Sequence, residues 1–419
     1  MNKVIAVILA GGRSKRMGIL CQQKPKPLLP FGGKYNVIDF TLSNCCHSQL
    51  KDVLIITADK EIQIADYIKK WQSFNTNCID ISVIKSNNNH YSGTADAVRQ
   101  NIKYIKQYNP DEVLLLAADH VYNMDYRKML EFHRRSKSDV TIGLTRVPIM
   151  YANRFGVVYL DDQKRVTNFI EKPPVPDNNL ISMGIYIFNT ETLINSLEDD
   201  ARITDSIHDF GYSIMPRLIR EKYVSGYEYS GYWRDIGTPQ AYLNTNFEFI
   251  EDVINTADRY FPPLLTASEY KDGSNTIGYD NVTNSFIARG CVIKGRVDNS
   301  ILYPGVWIEK HAIVKNSIIM PNGLVGYHSV IENSILDEGV HVSRYSYVGL
   351  KDGHASEDTG ITILGKDSLV PPYTVVSRNS RIPPYSLIEH SYAGKTTSNE
   401  SVNLNNVPVS NLLSLFSYI

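Results

Sequence analysis

Apolar residues over roughly the first 240 positions follow two alternating patterns. Short runs such as "VIAVIL" (4–9), "DVLIIT" (52–57), "DISVIK" (80–85), "EVLLLAAD" (112–119) and "DVTIGL" (139–144) are continuous and rich in β-branched residues, as in strands covered on both faces. Between them "KEIQIADYIKKW" (60–71), "TADAVRQNIKYIKQY" (94–108) and "YRKMLEFHRRSK" (126–137) carry apolar residues at helical spacing. This alternation predicts a layered α/β fold on a mostly parallel sheet, where ligands bind beyond the carboxyl ends of the strands.

A predicted helix, "AYLNTNFEFIEDVIN" (241–255), and the Pro-containing stretch "RYFPPLLTASEYKDG" (259–273) end that pattern. Next come "SILYPGVWIEKHAIVKN" (300–316), "SIIMPNGLVGYHSVIEN" (317–333) and "SILDEGVHVSRYSYVGL" (334–350), one unit repeated at a step of 17, preceded by a shorter "SFIARGCVIKGRVDN" (285–299). Inside each full unit the aliphatic residues fall six apart: Leu302, Ile308 and Val314, then Ile319, Val325 and Ile331, then Leu336, Val342 and Val348. Leu364, Val370, Val376, Ile382 and Ile388 keep the same spacing. A set of antiparallel hairpins would need turn signals at varied spacing. The fixed period predicts instead a left-handed parallel β-helix of triangular coils, each aliphatic filling the axis. Its flat sides and open ends suit oligomerisation.

A chain of 419 residues exceeds the roughly 250–300 at which one core stops growing, so two domains are expected. The boundaries follow the patterns: a catalytic domain over 1–240, a helix and linker over 241–284, the β-helix over 285–390 and a tail over 391–419. Forty-three basic against 44 acidic residues leave a formal charge of −1. That balance gives no global signature for a nucleic-acid or membrane partner. The cysteines at 21, 45, 46, 78 and 291 are scattered, with no C-x-x-C pair and no His-rich neighbour. A reducing cytosol is the simple inference. With no cleavable leader pattern and no run of 18 apolar residues, a cytoplasmic protein is expected.

Candidate chemistry begins at the first strand exit. "GGRSKRMG" (11–18) lacks the closing Gly-Lys-Ser/Thr of a Walker loop and does not fit G-x-G-x-x-G. Gly11 and Gly12 nonetheless allow backbone N–H groups to approach a ligand that a Cβ would block. Arg13, Lys15, Arg16, Lys24 and Lys26 supply positive charge close by, and the prolines at 25, 27 and 30 stiffen the stretch that carries Lys26. A polyphosphate fits such a loop, although a Gly-Gly turn with solvated cations would read the same way. Asp119 closes "EVLLLAA", where a side chain emerges at a strand end, and can equally be a turn residue.

These residues sit in a longer text. "LAGGRSKRM", "KPKPLLPFGGKYNVIDFTLSN", "YSGTADAV", "ADHVYNMDY", "FGVV", "FIEKP", "SMGIYIF", "HDFG" and "YWRDIGTPQAY" follow in that order. The series resembles the bacterial glucose-1-phosphate adenylyltransferase family over residues 4–350, β-helix included. The resemblance implies a Mg²⁺-dependent reaction of ATP with glucose 1-phosphate, giving ADP-glucose and pyrophosphate for glycogen synthesis. It also implies a homotetramer, or a mixed tetramer with a related subunit, regulated by small phosphorylated metabolites.

Carried over position by position, the resemblance makes Asp119 and Asp235 the metal carboxylates. Gly11, Gly12, Arg13, Gly93 and Thr94 line the nucleotide, and Arg13 and Lys26 face its departing phosphates. Lys172 contacts the sugar phosphate, Glu171 the sugar hydroxyls, and Tyr91, Gly156 and Ser182 surround the sugar. Trp233 is expected to pack near Asp235 as scaffold, and Asp39 is assigned no chemistry. Several positions depart from the family pattern: His90, Asn36, Ala118, Tyr212 and the segment "ITADKEIQ" (56–63). They leave two alternatives open, a nucleotidyltransferase for another base or sugar 1-phosphate such as glucosamine 1-phosphate, and a catalytically silent regulatory subunit.

Overall fold

A computed structural model describes residues 2–12, 14–58, 61–76, 78–84, 91–256, 264–267, 281–350 and 360–388. Two compact units form. One comprises residues within 1–13, 37–235 and 260–267, and the other residues within 14–36, 236–259 and 268–419.

The first unit is built on a mixed sheet whose centre is parallel. The strand Val4–Leu9 lies between Glu112–Ala117 and Asp52–Ile56, parallel to both, and Asp80–Ile84 extends the parallel set. These are the predicted apolar runs, and Ile5, Val7, Leu54, Val113 and Leu115 are fully buried among them. Beyond Glu112–Ala117 the direction reverses. The strand Leu180–Asn189 runs antiparallel to Glu112–Ala117 and to Val140–Arg146, while Val224–Glu228 pairs parallel with Val140–Arg146. Its register shifts between Ser182 and Tyr186, and Gly184 inside the bulge has φ +70°, a conformation a side-chain-bearing residue adopts only under strain.

The predicted helices form at Glu61–Phe74 and Tyr126–Ser136. The Asp125 carboxylate caps the second by accepting from the Arg127 N–H at 3.0 Å. The stretch 94–108, expected as one helix, divides into Thr94–Gln100 and Ile102–Gln107. Asn101 breaks it: the side-chain amide donates to the Ala97 carbonyl at 2.8 Å and to the Tyr91 hydroxyl at 3.1 Å, replacing the regular backbone pattern.

The fold brings two of the scattered cysteines close together. Cys46, near the end of the helix Ile38–His47, and Cys78, just before the strand Asp80–Ile84, lie with Cα atoms 5.6 Å apart, within the reach of a disulfide. Pairing of Asp80–Ile84 with Asp52–Ile56 brings them together across 32 residues, a proximity their spacing does not reveal.

In the second unit three parallel sheets rise coil by coil. Leu302, Ile319, Leu336 and Leu364 stack in successive registers of one sheet, and Val297, Val314, Ile331, Val348 and Val376 in another. All fourteen aliphatic positions named from the six-residue period are no more than 2% exposed. The Asn-Ser opening of each unit also has a structural reason. Asn299, Asn316 and Asn333 take positive φ at the corner, which Asn tolerates better than most residues. The Ser317 and Ser334 N–H groups donate to the serine hydroxyl one coil earlier, at 3.2 and 3.1 Å.

Because each coil is covered by its neighbours, Ile331→Val removes one methylene from a closed axis. A loss of about 0.5–1.5 kcal/mol is expected, read as a lower urea midpoint with unchanged slope.

The segment 14–36 packs within this second unit. The Gly32 N–H donates to Asn246 Oδ1 at 2.8 Å and the Gly33 N–H to the Tyr303 hydroxyl at 3.2 Å. The Tyr242 hydroxyl donates to the Pro30 carbonyl, and the rings of Phe31 and Phe249 meet edge to face at 5.4 Å. The helix Pro239–Thr256 supplies three of these partners.

Candidate active site

The parallel register sets the site. Leu9 pairs with Ala117, and the Ala118 N–H donates to the Leu9 carbonyl at 3.2 Å. The exposed Gly11 and Gly12 and the half-buried Asp119 therefore leave adjacent strands at the same carboxyl edge, where such sheets place ligands. A Cβ on Gly11 would come within 3.2 Å of the Ala58 Cβ.

Asp235 reaches the same place from far along the chain. The short strands His120–Tyr122 and Trp233–Asp235 pair antiparallel, with Asp235 opposite His120 and so one residue from Asp119. His120 Nε2 lies 3.7 Å from Asp119 Oδ1, and its ring meets the buried Trp233 edge to face at 5.0 Å. Trp233 in turn packs on Phe155 at 5.5 Å, and the Phe155 carbonyl accepts from the Lys172 N–H at 3.0 Å. An aromatic bridge thus connects the strand pair that ends in Asp235 to the Glu171–Lys172 pair. Gly184, in the bulge, faces the His120 ring across 3.5 Å from where its Cβ would lie.

Lys172 follows the strand Val166–Glu171 with φ +48°, and its ammonium donates to Glu171 Oε1 at 2.6 Å. Glu171 pairs in register with Gly156. Its carboxylate lies where a Cβ on Gly156 or on Gly211 would intrude, at 2.8 and 2.5 Å, so both glycines allow it to fit. Burial pushes the Glu171 carboxyl up, outweighing the lowering by Lys172. Burial would lower the Lys172 ammonium, but the Glu171 hydrogen bond and charge raise it overall. Each group of the pair thus favours the charged form of the other.

The remaining sugar-side residues are placed as follows. Ser182, buried, donates to the Tyr186 hydroxyl at 3.2 Å and accepts from the Gly184 N–H at 3.2 Å. Tyr91 is half-buried, its hydroxyl accepting from Asn101. Gly93 presses on the Ile207 and His208 carbonyls, and the Thr94 hydroxyl donates to Asp209 Oδ2 at 2.8 Å while accepting from the Phe210 N–H at 3.1 Å. The loop before the helix Thr94–Gln100 is thus clamped to residues 207–210. Asp96 holds it from inside. Burial would raise that carboxyl, but bonds from the Ser92 N–H, Arg99 and Gln100 lower it overall.

Arg13 and His90 lie outside the described residues. Lys26 belongs to the second unit, where it is 5% exposed in the short helix Lys26–Leu28. Sequence reasoning did not pick out His120, Phe155 or Asp209. The signal was available for all three, since each lies inside a motif of the series: His120 in "ADHVYNMDY", Phe155 in "FGVV" and Asp209 in "HDFG".

The carboxylates of Asp119 and Asp235, carried one residue out of register across the strand pair, are oxygen donors of the kind a hard divalent cation takes. Among the described residues no group of three or more His, Cys, Asp or Glu side chains is placed to hold a metal ion.

Residues 5–252 match the family described as Nucleotidyl transferase, and residues 271–365 match GlmU-like, C-terminal hexapeptide. A glucose-1-phosphate adenylyltransferase of Clostridium acetobutylicum is 39% identical over 324 residues, covering 75% of this chain and 85% of that protein. One from Desulfitobacterium hafniense strain DCB-2 is 35% identical over 384 residues, 89% of this chain and 96% of that protein. One from Bacillus cereus is 38% identical over 332 residues, 75% and 86%. A strand-end glycine pair, two carboxylates joined by a short ribbon, a hexapeptide β-helix and relatives matched over most of their length agree: the chain belongs to the nucleotidyl transferase family, among the glucose-1-phosphate adenylyltransferases.

Proposed function

We propose that the protein transfers an adenylyl group from ATP to glucose 1-phosphate, releasing pyrophosphate and forming ADP-glucose for glycogen synthesis. The observation that carries this reading is the register of Trp233–Asp235 on His120–Tyr122, which joins two distant family motifs at the exit of the nucleotide strand.

An oxygen of the sugar phosphate attacks the α-phosphorus as the pyrophosphate leaves opposite. A phosphate whose second pKa is about 6 is already ionised at neutral pH, so no general base is required. The demand falls on alignment and charge neutralisation. Lys172 takes the phosphate of the sugar and Glu171 its hydroxyls. The N–H groups at Gly11 and Gly12 face the polyphosphate, and the clamp of Gly93 and Thr94 on residues 207–210 shapes the wall beside the base. Asp119 and Asp235 would hold Mg²⁺, which when bound neutralises triphosphate charge.

The reading includes a cytoplasmic setting, where ATP and glucose 1-phosphate meet, assembly into a homotetramer or mixed tetramer, and control by a phosphorylated metabolite. No helix among the described residues is long and apolar enough to cross a membrane.

Pyrophosphate release measured over a panel of nucleotides and sugar 1-phosphates tests the assignment. ATP with glucose 1-phosphate is expected to give the highest kcat/KM. A preference for UTP or dTTP, or for glucosamine 1-phosphate, overturns it, and absence of turnover until a second subunit is added points to the silent-subunit alternative.

A further inference from the structure

The Lys172 ammonium has two neighbours. It donates to Glu171 at 2.6 Å, and it stands 5.3 Å from the centroid of the Tyr212 ring. Tyr212 is 49% exposed, so the ring is not held there by burial. Its backbone is. Asp209 accepts from the Gly211 and Tyr212 N–H groups at 2.9 and 3.2 Å, and its other oxygen accepts from Thr94. Gly211 meanwhile sits against the Glu171 carboxylate, closer than any Cβ would permit. The turn that presents Tyr212 is therefore fixed from three sides, with its ring beside the ammonium.

We propose that Tyr212 is a positioning residue for Lys172, its ring holding the ammonium in the orientation that receives the sugar phosphate and so setting affinity for that substrate. This rests on the reading that Lys172 contacts the sugar phosphate. The physical reason is the lysine stem. Four rotatable bonds make an ammonium at 45% side-chain exposure costly to order on binding. Glu171 fixes only one direction of it. A π face at cation–π distance restricts the other side while leaving the outer N–H donors open to a phosphate. Pre-ordering of this kind acts on binding rather than on the chemical step.

The experiment is a double-mutant cycle on the full-length protein. KM for glucose 1-phosphate is read from pyrophosphate release at saturating ATP. Tyr212→Leu, which keeps apolar bulk without a π face, is expected to raise KM about threefold, the size a half-exposed cation–π contact allows, with kcat changed less than twofold. Tyr212→Phe should retain the wild-type KM. In a Lys172→Ala background Tyr212→Leu should add nothing, because the group it positions is gone.

An unchanged KM in Tyr212→Leu, or an equal rise in both backgrounds, overturns the proposal; the second outcome would mean that Tyr212 meets the sugar itself or acts on the fold. Should Tyr212→Leu lower the melting temperature, Tyr212→Gln is read in the same cycle. If Lys172→Ala alone leaves KM unchanged, the reading of Lys172 fails, and with it the basis of the proposal. If Lys172→Ala raises KM and Tyr212→Leu does not, only the role of Tyr212 is lost.

Discussion

Asp119→Asn is expected to lower kcat at least about a hundredfold while leaving the melting temperature within a degree or two of wild type. The side chain is 37% exposed at a strand end, so its replacement by an isosteric amide removes charge without opening a cavity. The strand behind it is held by backbone pairing with Val4–Leu9 and by an apolar core that the substitution does not touch. What changes is the pair of carboxylates. An amide is a weaker oxygen donor for a hard cation, and the triphosphate then keeps charge that opposes displacement. Losing one preorganised electrostatic contributor of this kind typically costs 10²–10³ in rate.

Asp235→Asn should do the same, and the double variant should be little worse than either single one, because residues acting as a unit are not additive. Turnover, melting curves and the Mg²⁺ dependence of the residual rate, measured together, check this. Wild-type turnover in Asp119→Asn would mean that the cation is held elsewhere. A collapse in melting temperature would mean that Asp119 serves the fold.

The order of motifs along the chain named both aspartates, but not why they meet. The strands that join them are three residues each, too short for an alternating pattern to register. Their pairing depends on a register that only the folded chain displays. The β-helix was legible for the opposite reason. A six-residue period over many coils has few competing explanations, and each aliphatic it marked is buried. The Asn101 break, the approach of Cys46 to Cys78 and the packing of residues 14–36 within the second unit were not legible. Each arises from side chains far apart in sequence, or from one amide competing with a helix that the local pattern favoured. The Glu171 carboxylate shows the same limit. The motif order placed Gly156 at the sugar and gave Gly211 no role, without showing that both are places where that carboxylate would meet a Cβ.

Lys172→Ala is expected to raise KM for glucose 1-phosphate roughly ten- to hundredfold, with KM for ATP changed less than threefold. Hydrogen bonds to a charged group contribute about 1.5–3 kcal/mol, which corresponds to that range of affinity. The substitution has a second consequence at the protein's own expense. Glu171 is 13% exposed by side chain and draws its compensating charge from Lys172. With the ammonium gone, burial acts on the carboxyl without that lowering influence, so its proton affinity rises further.

A group whose folded-state pKa is raised loses stability as pH climbs through that value. Lys172→Ala should therefore melt lower than wild type on the alkaline side of the shifted Glu171 pKa, and nearer to wild type on the acid side. Adding Glu171→Gln removes the ionisable group and should flatten that difference, without restoring KM. Kinetics with each substrate varied in turn, and melting curves across pH, separate the two effects. A ten- to hundredfold rise confined to glucose 1-phosphate assigns Lys172 to the sugar phosphate. An equal rise for both substrates would make the Glu171–Lys172 pair part of the fold rather than of the binding site.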